Sequence, residues 1–155
     1  TYAYEEKSES NVNTTASRAR QKLLMSSWQA YVDQQLIATG QVTAAGIYDL
    51  QGNPWAYSAG FPAQIAEVKA IGDAMLQEDT LQALAGTGIV IAGEKYMFVK
   101  GELENVVLGK KGPSGCGVYK CNTCLLVATH NDKIASGAFN TAVGKLQDFL
   151  KEAGI

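Results

Sequence analysis

The chain has 155 residues, 46% of them hydrophobic and 18% charged, with a formal net charge of -2. Such a length and composition fit one soluble globular domain with a sizeable core, and the mild acidity argues against general affinity for nucleic acid, which needs a basic surface. No apolar run approaches the ~20 residues of a membrane span, and the polar first residues carry no signal-peptide pattern, so a cytoplasmic protein is expected.

Residues 1–24 (TYAYEEKSESNVNTTASRARQKLL) are dominated by Thr, Ser, Asn and Glu, with no apolar period before Leu23 and Leu24. They read as a flexible N-terminal extension, or a remnant of expression, ahead of a domain spanning 25–155, with Met25 as a candidate natural start. A second reading runs a helix from near Thr15 into the next element, because SRARQKLL is rich in helix formers. The next element is a helix: Ser26 with Gln29 forms a capping box and Gly40 is its stop. Trp28, Tyr31, Val32 and Leu36 share one stripe of it. Periodicity alone makes all four core. A sharper reading keeps Val32 and Leu36 as anchors and turns Trp28 and Tyr31 outward to bind something.

Val42 to Leu50 reads as a strand, followed by a turn at Gln51-Gly52-Asn53 and a short strand at Trp55-Ala56-Tyr57, with Pro54 at the turn exit. Ile65, Val68, Ile71 and Met75 recur at helical spacing, and Leu81 with Leu84 suggests one more helical turn. GIVIAG, EKYMFVKGE and ENVVLGKKG read as strands. CGVYKCNTCLLVATHND reads as a hairpin with Asn122-Thr123 at its tip. The last segment is the clearest helix: Phe139, Ala142, Val143, Leu146, Leu150 and Ala153 mark one face, Ser136 can cap it, and Gly154 ends it. This order predicts an α+β fold, an antiparallel sheet with helices on its faces. If the terminal helices share a face, Trp28, Tyr31, Phe149 and Ile155 meet near the chain ends.

Catalytic signatures are missing. His130 is the single histidine and lies in a strand-like run, so no hydrolase triad is expected. There is no G-x-S-x-G, P-loop or dinucleotide fingerprint; GKKGPSG lacks the Ser or Thr after its lysines and has no following helix. Alternation places Glu102 and Glu104 on one strand face, where they read as solvated. Cys116, Cys121 and Cys124 make an odd count that does not suggest a disulfide framework. The Cys121-x-x-Cys124 pair lacks the further ligands zinc needs and reads as cross-strand neighbours at the hairpin tip. No catalytic residue, metal or cofactor is expected.

Ser27 to Asp33 (SWQAYVD), Gly52 to Ala56 (GNPWA), Leu108-Gly109-Lys110-Lys111-Gly112, the Asn131-Asp132-Lys133 turn and the terminal amphipathic helix together resemble profilin, in appearance nearest the profilins of amoeboid protists. The likeness runs from about Met25 to Ile155. It implies a central antiparallel sheet, of about six strands here, with the N- and C-terminal helices on one face and shorter helices on the other. It implies a non-enzymatic protein that binds monomeric actin, regulates actin polymerisation and nucleotide exchange on actin, and binds proline-rich segments of actin-assembly factors such as formins. Phosphoinositide headgroups are a further implied partner of its basic residues.

The resemblance assigns Trp28, Tyr31, Trp55, Phe149 and Ile155 to the polyproline groove. A proline-rich segment is already a polyproline II helix and loses little entropy on docking. Aromatic rings pack on its pyrrolidine faces, and Trp N–H or Tyr O–H can donate to its carbonyls. The actin face falls on Lys100, Lys110, Lys111, Lys120, Asn131, Lys133 and Lys145, whose charge should steer association with acidic actin. Three positions depart from the family pattern. Phe149 lacks the hydroxyl of Tyr and Ile155 stands in place of an aromatic, which together weaken polyproline affinity by ~1–3 kcal/mol. Thr123 stands where related chains often carry Lys, which lowers actin and phosphoinositide binding. The alternatives are a small-ligand sensor on a PAS-like or longin-like sheet, which needs an apolar cavity, and a redox module at Cys121 and Cys124, which needs a thiol of depressed pKa.

Overall fold

A computed structural model describes residues 28–59, 61 and 63–155. The readings of residues 1–24, and the capping box at Ser26, lie outside the described residues. The first helix, α1 (28–39), changes pitch along its length. An α-helical turn at Trp28–Ala30 widens into a π-helical turn over Tyr31–Leu36 and tightens to a 3₁₀ turn at Ile37–Thr39. The Ile37 N–H reaches the carbonyls of both Val32 and Asp33, as expected where α and π ladders meet. Gly40 ends the helix in the left-handed region at φ 75°, which favours glycine.

The strands β1 (Ala44–Asp49), β2 (Pro54–Tyr57), β3 (Ile89–Ile91), β4 (Glu94–Glu102), β5 (Val106–Lys111), β6 (Ser114–Lys120) and β7 (Cys124–His130) form one seven-stranded sheet. Its order is β2-β1-β7-β6-β5-β4-β3, and every pairing is antiparallel. About six strands were expected from the family resemblance; the sheet has seven, one for each segment read as a strand, with GIVIAG supplying the three-residue edge strand β3. Helices α2 (Ile65–Ala74), α3 (Glu78–Thr87) and α4 (Ser136–Glu152) complete the fold.

Strand alternation sends successive side chains into two separate cores. On one side Ile47, Val106, Tyr119, Leu126 and Ala128 pack with Trp28, Val32 and Leu36 of α1 and with Phe139, Val143, Leu146 and Leu150 of α4. On the other, Tyr48, Val107, Val118, Leu125 and Val127 pack with Val68, Ile71 and Met75 of the α2 region and Leu81 of α3. The terminal helices therefore share one face and the shorter helices the other, as expected. Strand β7 lies in mid-sheet with apolar residues facing both cores, which is why LLVA carries no polar alternation.

Four local expectations are corrected. Leu81 and Leu84 belong to a full ten-residue helix rather than a single turn; Glu78 and Asp79 sit in its first turn, where the helix dipole favours acids. Ser136 does not cap α4: the chain enters from Ala135 in extended conformation, with no side-chain cap. Ala153 is exposed, because the buried stripe ends at Leu150 and the chain turns at Ala153. Glu104 does not share a strand face with Glu102. It has a φ of 53° in the turn between β4 and β5, a turn closed by the Asn105 N–H donating to the Glu102 carbonyl at 3.0 Å.

Candidate ligand-binding surfaces

Trp28 and Tyr31 of α1, Trp55 of β2 and Phe149 of α4 form one continuous row. Trp55 stacks on Trp28 with ring centroids 5.0 Å apart and planes 29° from parallel. Trp28 meets Tyr31 at 5.3 Å, and Tyr31 meets Phe149 at 6.2 Å, both tilted. These are separations and angles that the aromatic quadrupole favours. The sequence expectation for Trp28 needs correction. Its ring does not face outward but is 2% exposed, packed into the core beneath its neighbours. The apolar stripe of α1 points at the sheet, and Trp28 lies on it with Val32 and Leu36. Tyr31 and Trp55 are half-buried and Phe149 is exposed, so the accessible part of the row comes from these three. The Trp28 indole N–H is buried and finds no acceptor among the described residues.

Trp55 is held by a tight turn. The Asp49 carboxylate accepts the Gln51 N–H at 2.8 Å, the Asn53 N–H at 2.9 Å and the Asn53 side-chain amide at 3.1 Å. Partial burial pushes the Asp49 carboxyl up, but these bonds, led by those from Asn53, outweigh it and hold its pKa below the ordinary aspartate value. Gly52, at φ +92°, is required here because a Cβ would collide with the Ile65 carbonyl oxygen. Gln29 ties the helix to the same strand, donating to the Tyr57 carbonyl at 3.0 Å and to Asp33 at 3.2 Å.

Ile155 packs against the same core, and the hairpin tip holds its backbone. The Thr123 N–H and hydroxyl both donate to the Ile155 carbonyl, the hydroxyl at 2.9 Å. Asn122 donates to the Lys151 carbonyl at 3.3 Å. Thr123 thus has a structural role that its position at a hairpin tip did not disclose.

The expected actin-face residues are more scattered and less basic than their sequence positions imply. Lys100 pairs with Glu102 at 2.9 Å, and that bond, with one from Asn105, holds the Glu102 carboxyl below its usual range. Lys111 pairs with Glu94 across the β4–β5 ladder. Lys120 lies at the other end of β6, with its side chain 14% exposed and its ammonium 3.9 Å from Glu104. Lys110 and Lys133 have no carboxylate partner among the described residues. The Asn131 side chain is occupied locally, accepting the Lys133 N–H at 3.0 Å. Lys145 lies apart from the sheet lysines, in the groove between α1 and α4 with Tyr31 and Phe149. Beside Lys110, a recess of about 250 Å³ joins Val99 and Leu108 to His130 and Phe139.

Sequence reasoning missed Met97 and Val99, 71% and 57% exposed on β4. In the run Tyr96-Met97-Phe98-Val99, Tyr96 and Phe98 turn to the core, so apolar residues occupy both faces and the period of two is hidden.

Cys121 and Cys124 flank the hairpin tip as expected, the Cys121 N–H donating to the Cys124 carbonyl at 2.8 Å. A hydrogen bond from Cys124 holds the Cys121 thiol below its usual pKa, and the same contact with burial raises that of Cys124. Both are buried, which keeps the lowered thiol from external oxidants or disulfides. No cluster of metal-ligating residues occurs among the described residues, and no described helix is long and apolar enough to cross a membrane.

Comparison with known proteins places this geometry. The family model for profilin matches residues 26–155. Profilin-2 of Dictyostelium discoideum is 42% identical over 123 residues, which cover 79% of this chain and 94% of that protein. The solved structure of Acanthamoeba castellanii profilin IA superposes with a TM-score of 0.77 at 35% identity, covering 83% of this chain and 99% of that one. Mouse profilin IIa, solved in complex with a double repeat from the FH1 domain of mDia1, is 18% identical and shares the fold at a TM-score of 0.68, covering 83% of this chain and 99% of that one.

Proposed function

The chain belongs to the profilin family, and we propose that it is a non-enzymatic cytoplasmic protein that binds proline-rich segments through the aromatic row and monomeric actin through the sheet face around β4 and β5. The observation that carries this reading is the unbroken row Trp55–Trp28–Tyr31–Phe149, with spacings of 5.0, 5.3 and 6.2 Å. Each ring is braced by the next, so the surface is pre-organised and little side-chain entropy is lost on docking. A buried donor without a partner costs about 1–3 kcal/mol. The Trp28 indole N–H is such a donor, and a ligand carbonyl reaching it after a small shift of Tyr31 or Trp55 recovers that cost. The mouse relative bound to FH1 repeats supports a proline-rich, formin-like partner. Phe149 offers apolar contact without a hydroxyl, and Ile155 contributes packing in place of a ring.

For actin, the combination of exposed Met97 and Val99 with Lys110 across the ladder from Met97 fits a protein partner with an acidic rim and an apolar centre. Lys100, Lys133 and Asn131 extend that surface, while Lys145 belongs to the groove. Bound there, the protein would regulate polymerisation and nucleotide exchange on actin. Phosphoinositide headgroups are a poorer fit, because Lys100, Lys111 and Lys120 each face a glutamate. Family membership also favours this reading over a small-ligand sensor.

The test is a fluorescence titration with a proline-rich peptide, since Trp28 and Trp55 are the two tryptophans of the chain and both lie in the row. A saturable change, weakened about tenfold or more in Tyr31→Ala, is expected. No change up to millimolar peptide would refute the groove assignment.

A further inference from the structure

Helices α1 and α4 do not close on each other. Between them runs an open groove of about 760 Å³, walled by Tyr31, Gln35 and Thr39 on one side and Thr141, Lys145 and Phe149 on the other. Its two ends differ in chemistry. One is aromatic, with Tyr31 and Phe149 at a centroid distance of 6.2 Å, and is continuous with the row described above. The other is polar, with Gln35, Thr141 and Lys145 all exposed. Lys145 is the single charged residue of the lining, and it has no carboxylate partner among the described residues. Asp33 of α1 and Asp148 of α4 stay outside the lining. Helix α4 also starts at this polar end without a side-chain cap, so the positive end of its dipole has the same sign as Lys145.

A run of prolines matches only half of such a groove. Its rings pack on Tyr31 and Phe149, but it offers no charge to Lys145. The α4 wall runs from Gly137 to Phe149, about 18 Å at helical rise, which is room for about six residues of polyproline II helix at ~3.1 Å each. We propose, resting on the assignment of the aromatic row to proline-rich segments, that the groove takes the residues flanking the proline run and that Lys145 selects a flank carrying an acidic residue. Lys145 precedes Phe149 by one turn on the same face of α4, about 6 Å along the axis. At polyproline II rise that is about two residues, so the acidic side chain belongs about two positions beyond the proline seated on Phe149. The partner class is therefore a proline run with Asp or Glu close to one end. Lys145 discriminates among proline-rich partners by attracting such flanks and repelling basic ones.

The test uses the full chain and fluorescently labelled peptides with a run of eight prolines, read by anisotropy. One set carries Glu, Gln or Lys at the second position after the last proline. The other carries the same three residues at the second position before the first, because a polyproline II segment can enter either way round. In one of the two sets the Glu peptide should bind about threefold tighter than its Gln counterpart, the size expected of an exposed ion pair, and the Lys peptide should bind more weakly than both. Lys145→Gln should bring the Glu and Gln peptides to near-equal affinity, and Lys145→Glu should invert the order of Glu and Lys. Equal affinities of the Glu and Gln peptides in both sets overturn the proposal. So does a Glu preference that survives in Lys145→Gln, which places the charge discrimination elsewhere. In either case a Gln peptide that still binds leaves the aromatic row standing. If none of the peptides binds up to millimolar concentration, the row itself is refuted and the flank assignment falls with it.

Discussion

The aromatic row and the lysine face differ in how they are held. The row is built from the core outward: Trp28 is buried among α1, α4 and β2, and the accessible rings lean on it. The lysine face is built from the sheet surface, and three of its lysines are held by glutamates of the strands and turns around them. Exposed ion pairs contribute little to stability, so that face can be rewritten cheaply, whereas the row cannot be altered at its base without disturbing the fold. A binding surface rooted in the core trades evolutionary freedom for pre-organisation. A surface carried on strand exteriors keeps that freedom and relies on charge and a few apolar contacts.

The largest effect that sharpens this contrast is at Trp28. Trp28→Ala should cost about 3–5 kcal/mol of stability, read from the urea unfolding midpoint, while Trp55→Ala should cost far less stability and mainly weaken peptide binding. Equal, small losses from both would break the comparison. Next, Met97→Glu should weaken the complex with monomeric actin about tenfold in gel filtration or isothermal titration, with an unchanged unfolding midpoint, because Met97 is 71% exposed. A smaller change follows from ionic strength: raising salt from low to physiological should weaken actin binding, with screening over about 8–10 Å, and leave peptide binding nearly untouched. Thr123→Val removes one donor to the Ile155 carbonyl and should cost about 0.5–1.5 kcal/mol. The smallest effect is with pH. Asp49 has a lowered pKa in the folded protein, so its turn is stabilised above the unfolded aspartate pKa and that contribution is lost as pH falls through the lowered value. Trp55 emission should therefore shift on acidification below the ordinary carboxylate range, and Asp49→Asn should abolish that transition.

Much of the architecture was legible because it depends on local periodicity. Val68, Ile71 and Met75 announced α2, and Asn122-Thr123 announced the β6–β7 turn. Periodicity alone put Trp28 in the core, where the structure places it; the outward reading followed from the resemblance to a ligand groove, and a ring can floor such a groove while its neighbours cover it. The glutamate partners of the lysines escaped notice for a different reason. Glu94 meets Lys111 only through the β4–β5 register, and a register is a property of two strands together. Gln147 shows the same limit. It sits on the buried side of α4, where its amide donates to the carbonyls of Asn105 and Lys120 at 3.0 and 2.8 Å. Helical spacing sets it beside the apolar stripe, four residues after Val143 and three before Leu150, but its polar side chain reads as surface until its partners on the sheet are known.

The central claim is that two separate surfaces, one rooted in the core and one carried on the sheet, bind two different partners. Its most direct test is to titrate a proline-rich peptide into the protein alone and into its one-to-one complex with monomeric actin, following tryptophan emission or peptide anisotropy. The account predicts the same peptide affinity in both, within about twofold, and a stable ternary complex. Loss of peptide binding in the actin complex would show a shared surface and contradict it.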